Sequence, residues 1–66
     1  MNIELRFLQK AIENKNYISF SYEMKKLDKI KPLSLIQKDE FYFLNTVNKT
    51  FEFTKITKLL IYKDQF

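Results

Sequence analysis

The chain has 66 residues, enough for one domain, and at this length only about 60% of the unfolded surface can be buried, so a stable core needs large apolar side chains. Seven Phe and four Tyr supply them, while the lack of Cys and His excludes disulfides and the usual zinc and transition-metal ligands, so no cofactor or metal is expected. Twelve Lys and Arg against eight Asp and Glu give a net charge of +4, which suits an anionic partner, nucleic acid above all, although a Lys- and Asn-rich chain without Gly is also what A/T-rich coding produces.

The first element is a helix over about 3–14. Leu5, Leu8 and Ile12 recur at helical spacing with Phe7 and Ala11 beside them, and Arg6, Lys10 and Glu13 mark the opposite face. Asn2 is placed to cap the first turn and Glu4 complements the helix dipole there. After Asn16 the period drops to two. Ile18, Phe20 and Tyr22 alternate with Tyr17, Ser19 and Ser21, which predicts a half-buried strand over 17–23. A charged turn is expected over 24–28.

Four more strands follow, over about 29–37, 40–46, 50–55 and 59–63. Pro32 lies inside the second and has no N–H for a ladder, so it should mark an edge or a bulge. Phe51 and Phe53 share one face of the fourth. Connections of three to five residues imply an antiparallel meander. A flat five-stranded sheet would leave a bare face and open edges, so the expected solution is a strongly bent, half-open barrel closed by the helix, a mainly β (α+β) fold. Without Gly, the turns fall to Asn14, Asn16, Asp39, Asn45 and Asn48, which tolerate positive φ best.

Catalytic constellations are missing. Ser19, Ser21 and Ser34 have no His to activate them, the carboxylates fall on expected solvent faces or turns, and a Gly-rich phosphate loop needs Gly. A non-catalytic protein is expected. No apolar run reaches the ~18 residues of a membrane span, and Met1-Asn2-Ile3-Glu4 is too polar for a secretory signal. A cytoplasmic location without a membrane partner follows. The positive signal is aromatic. Phe41-Tyr42-Phe43 puts three rings on consecutive strand positions, and Tyr42 is expected to point outward because Phe41 and Phe43 share the other face. An outward tyrosine near Lys31 or Lys55 suits base stacking with phosphate contact; packing against cross-strand neighbours is the plainer alternative.

The motif order resembles the WYL domain family, named for a Trp-Tyr-Leu tripeptide on a strand of an Sm/SH3-like barrel. The helix runs into Ile18-Ser19-Phe20-Ser21-Tyr22. Ile30-Lys31-Pro32-Leu33-Ser34-Leu35 is similar to the aliphatic-x-Pro-Leu-x-Leu strand, Phe41-Tyr42-Phe43 to the signature, and Phe51-Glu52-Phe53-Thr54-Lys55-Ile56 to the closing Phe-x-aliphatic-x-Arg-Ile. The likeness spans roughly residues 5–62. Lys55 stands where the family has Arg, losing a bidentate fork, and Glu52 where it is often basic. The resemblance implies a five-stranded Sm/SH3-like barrel that acts as a regulatory module in bacterial transcription control. It further implies binding of an anionic ligand, nucleotide or single-stranded nucleic acid, with Tyr22, Lys31, Tyr42 and Lys55 lining the site. No helix-turn-helix pattern occurs in these residues, so a stand-alone domain and a segment of a longer regulator both remain open. The competing expectation is a protein-interaction or homo-oligomerisation module acting through an exposed sheet edge.

Overall fold

The computed structural model describes residues 3–47 and 49–66. One helix, α1 (Ile3–Asn14), precedes six strands: β1 (Asn16–Tyr22), β2 (Lys25–Ile30), β3 (Pro32–Lys38), β4 (Phe41–Thr46), β5 (Thr50–Glu52) and β6 (Ile56–Gln65), with a 3-10 turn at Phe53–Lys55 between the last two. The strands form two three-stranded antiparallel sheets, ordered β2-β1-β6 and β3-β4-β5. Among the described residues no helix is long and apolar enough to cross a membrane.

The mainly β, α+β expectation therefore stands, and the count of five strands in one barrel is corrected to six strands in two sheets. The expected turn over 24–28 is mostly strand. Tyr22 pairs with Lys25 in register, so the reversal takes only two residues, Glu23 and Met24, both at positive φ (49° and 67°). This is the geometry of a primed hairpin turn, which follows the natural strand twist. The expected strand over 29–37 breaks at Lys31, between β2 and β3. Pro32 opens β3, an edge strand, beside a register shift, where its missing N–H costs nothing. The expected strand over 50–55 gives way after Glu52 to the 3-10 turn, although Phe53 still packs against the core.

Asp39 takes positive φ as expected, but Asn14, Asn16 and Asn45 do not; Lys15, Lys29 and Lys58 do instead. The expected roles of Asn2 and Asn48 lie outside the described residues. Lys29 and Lys58 sit where β2 and β6 each carry one residue more than β1 between paired positions. These two β-bulges flank Ser19 and Phe20 on either side of the central strand, and bulges bend a sheet and increase its twist. The bent sheet curls over the core.

The core joins helix and both sheets. Leu8 and Ala11 of α1 pack with Ile18, Phe20, Leu44, Phe51 and Ile56, and Leu5 is buried beside them on the same helix. Phe51 is the hub of a ring cluster, edge-on to Phe20 at 5.1 Å and to Tyr22 at 4.9 Å, pairings worth about 0.5–1.5 kcal/mol each beyond area burial. The helix stripe is narrower than expected, since Ile12 is half-buried and Phe7 is 52% exposed. The end of β6 is clamped to the α1–β1 turn: Phe66 N–H donates to Lys15 O, Gln65 Nε2 to Asn14 O, and Tyr17 meets Phe66 edge-on. The radius of gyration, 10.8 Å, is what a packed chain of this length should have, about 11 Å.

Candidate anion-binding cleft

The two sheets are joined where β2 runs into β3, and a cleft of about 380 Å3 opens at that seam, within the roughly 300–1,000 Å3 range of small-molecule sites. Leu27, Ile30 and Phe51 give it apolar walls. Lys29 and Lys31 come from the β2–β3 junction, and Thr46, Val47 and Lys49 from the end of β4 and the connection to β5. Three lysines are thus among the residues lining a partly apolar hollow, and no carboxylate residue is. Like charges facing low-dielectric walls focus a positive potential there.

Local structure fixes these lysines. Lys29 is the left-handed residue of the β2 bulge, and its ammonium lies 5.9 Å from the Tyr17 ring centroid. Lys49 is held by a closed polar loop: Thr46 Oγ1 donates to Lys49 O at 2.6 Å, Lys49 N–H donates to Thr46 Oγ1 at 3.2 Å, and Thr46 N–H also donates to Lys49 O. Thr46 is itself buried, so the Lys49 backbone is tied to a buried side chain. The Lys49 ammonium sits over the Phe51 ring at 5.8 Å, a cation–π contact at the cleft wall.

Of the four residues expected to line a site, only Lys31 borders this cleft. Tyr22 belongs to the core. Its ring abuts Phe51 and its hydroxyl accepts the Glu52 N–H at 3.1 Å, so its polar end is already satisfied by backbone. Tyr42 does not point outward. In the β3-β4-β5 register Leu35 pairs with Leu44 and Leu44 with Phe51, and all three contribute to the core. Alternation then puts Tyr42 on that same inner face and Phe41 and Phe43 on the outer one. Tyr42 also lies at the far end of the hairpin, opposite Gln37, about 20 Å along β3 from Lys31 at ~3.3 Å per residue. Lys55 is exposed in the 3-10 turn and lines no part of the cleft.

Lys29 and Lys49 were not among the four expected site residues. Neither lies in a motif; the bulge and the threonine-closed loop bring them to the seam. A second hollow on the exposed side of α1 carries Glu13 among Arg6 and Lys10, and its mixed charge gives it less claim on an anion.

No protein-family model, curated protein or solved structure matches the chain.

Proposed function

We propose that this domain is a non-catalytic regulatory module that binds an anionic ligand, a nucleotide or single-stranded nucleic acid, at the cleft between its two sheets. The observation that carries the reading is the convergence of Lys29, Lys31 and Lys49 on a hollow with apolar walls and no acidic lining residue. Phosphate oxygens would meet Lys31 and Lys49, and the flat part of the ligand would lie against Ile30 and Leu27. The continuous path from β2 through Lys31 into β3 also supports reading the two sheets as halves of an open Sm/SH3-like barrel with one bent strand shared between them. On that reading the likeness to the WYL family, and a place in transcription regulation, remain the preferred context.

The test is a titration of a labelled single-stranded oligonucleotide, and of a labelled nucleotide, at ~50 mM and ~300 mM salt. Binding that weakens with salt supports the proposal, with a slope of about −0.7 per phosphate contact for single strands. No binding at ~50 mM salt, or salt-independent binding, rejects it.

One observation favours a second reading, assembly through a sheet edge. β6 is ten residues long, stands at the end of its sheet and leaves Leu60 61% exposed. Unpaired edges of this kind can add a strand from another chain. Sedimentation over a hundredfold concentration range separates the readings. A reversible dimer without affinity for nucleic acid supports assembly; a monomer that binds does not.

A further inference from the structure

The outer face of the β3-β4-β5 sheet serves neither the core nor the cleft. Phe41 (49% exposed) and Ile36 (47% exposed) lie on it with the half-buried Phe43, and Phe43 is not among the residues packed on the core. The register sets Ile36, Phe43 and Glu52 in one cross-strand row and Lys38 with Phe41 in the next. Lys38 and Glu52 therefore mark opposite corners of an apolar centre, about 12 Å apart for strands ~4.8 Å and rows ~7 Å from one another. The midpoint between these corners falls between Phe41 and Phe43.

Both signs of charge border this face. Asp39 and Glu40 make the turn from β3 to β4, beside Lys38, and Lys55 ends the 3-10 turn that follows Glu52. Lys49 belongs to the other side, since its ammonium lies over the ring of the inward-facing Phe51. A partner segment of one sign meets a like charge at one corner or the other. A second copy of the chain does not. A two-fold axis in the plane of contact, passing between Phe41 and Phe43, carries Lys38 onto Glu52. With ideal strand spacings the same rotation brings Lys55 to within about 5 Å, in that plane, of the Asp39-Glu40 turn. A two-fold contact uses one patch on both subunits, so each of these pairings forms twice.

We propose that this face is the contact surface of a symmetric homodimer, with Phe41 and Phe43 of the two copies packed around the axis and Lys38 of each opposite Glu52 of the other. The surface is distinct from the β6 edge, and it lies at the end of β3 away from Lys31, so the proposal holds whether or not the cleft takes an anion. Three strands by about five residues give a footprint of roughly 14 Å by 17 Å, well below the ~800 Å2 per partner of a standard interface. The dimer is accordingly weak and reversible. Its apolar centre supplies affinity, and the corner charges fix the orientation.

The experiment is sedimentation equilibrium of the whole chain from ~10 µM to ~1 mM at ~50 mM salt, where surface charges are little screened. The proteins are the wild type, Lys38→Glu, Glu52→Lys, an equimolar mixture of those two variants, and Ile36→Ser with Phe41→Ser, each checked by circular dichroism. The wild type should dimerise with a dissociation constant on the order of 0.1 mM, as suits so small an interface. Either charge reversal puts like charges opposite one another twice in its own dimer and should weaken association about tenfold. In the mixture a Lys38→Glu chain facing a Glu52→Lys chain regains both opposite-sign pairings, and association should return to within about threefold of the wild type. Damage to the fold of either variant does not recover on mixing, so this recovery reads the contact itself. The Ile36 and Phe41 pair, both exposed, should stay folded and monomeric. A wild type that is monomeric throughout overturns the proposal. A dimer indifferent to Ile36→Ser with Phe41→Ser overturns it too, and transfers the contact to the β6 edge or another surface. Single reversals that weaken association without recovery on mixing overturn the two-fold pairing of Lys38 with Glu52.

Discussion

The two sheets are built to different ends. In the β2-β1-β6 sheet, the central strand has Ile18, Ser19 and Phe20 buried in succession, so both of its faces are covered, and its two bulges bend it around the core. In the β3-β4-β5 sheet only the inner face is covered; the outer one shows Ile36, Phe41 and Phe43 to solvent. A strand buried on both faces supplies stability and has nothing left to present. A strand buried on one face can present side chains at positions its other face holds rigid. The cleft lies where the two meet, with lysines from the end of the first sheet and from the β4–β5 connection of the second.

The sharpest way to break this contrast is by truncation on either side of it. Phe20→Ala empties a fully buried site and should cost about 3–5 kcal/mol, most of the stability expected of so small a domain, whereas Phe43→Ala should cost no more than about 1 kcal/mol; urea denaturation of the pair decides. Lys31→Ala with Lys49→Ala should leave stability within about 0.5 kcal/mol while the dependence of log affinity on log salt falls by about 1.4, two contacts at ~0.7 each. Tyr22→Phe removes the acceptor of the Glu52 N–H and should cost about 1–2 kcal/mol, seen as a lower melting temperature with binding unchanged. If binding falls instead, Tyr22 has a role outside the core.

Smaller effects refine the picture of the bent sheet. Met24 is fully exposed and sits at φ 67°. Met24→Gly should relieve about 1–2 kcal/mol of left-handed strain against about 0.4–1 kcal/mol of added unfolded-state entropy, a net gain measurable by thermal melting. At the surface of the same sheet the Tyr62 hydroxyl donates to Asp28. That hydrogen bond, aided by partial desolvation and the Asp28 charge and opposed by a contact with Ser19, raises the Tyr62 pKa above 10.0. Because the folded value is the higher one, the stabilisation is fully present below pH 10 and is lost as pH rises through the folded pKa. Absorbance titration of the phenolates should show one tyrosine ionising late, and Asp28→Asn should bring it back toward the ordinary value.

Much of the fold was legible in the sequence because its signals are periodic. The helical spacing of Leu5 and Leu8, the alternation of Ile18, Phe20 and Tyr22, and the constraint on Pro32 each follow from one local rule. What escaped has no such marker. The Glu23-Met24 turn uses neither Gly nor Asn, and the bulges at Lys29 and Lys58 put lysine where glycine usually signals the conformation. Phe41 to Leu44 is four apolar residues in a row, so no polar residue tells inside from outside. Leu44 faces the core, in line with Leu35 and Phe51, and this turns Tyr42 inward and the two phenylalanines outward, the reverse of the expectation. In the cleft, Lys31 was visible through the Pro32 motif, whereas Lys29 and Lys49 arrive through backbone geometry that no spacing rule encodes.

The claim on which the functional account depends is that the seam between the sheets is where an anion binds. Amide chemical-shift mapping by NMR during titration with a short oligothymidine tests it directly. The account predicts the largest shifts at Lys29, Lys31, Val47 and Lys49, saturating together. Shifts confined to α1 or to the β6 edge, or no shifts at all at low salt, contradict it.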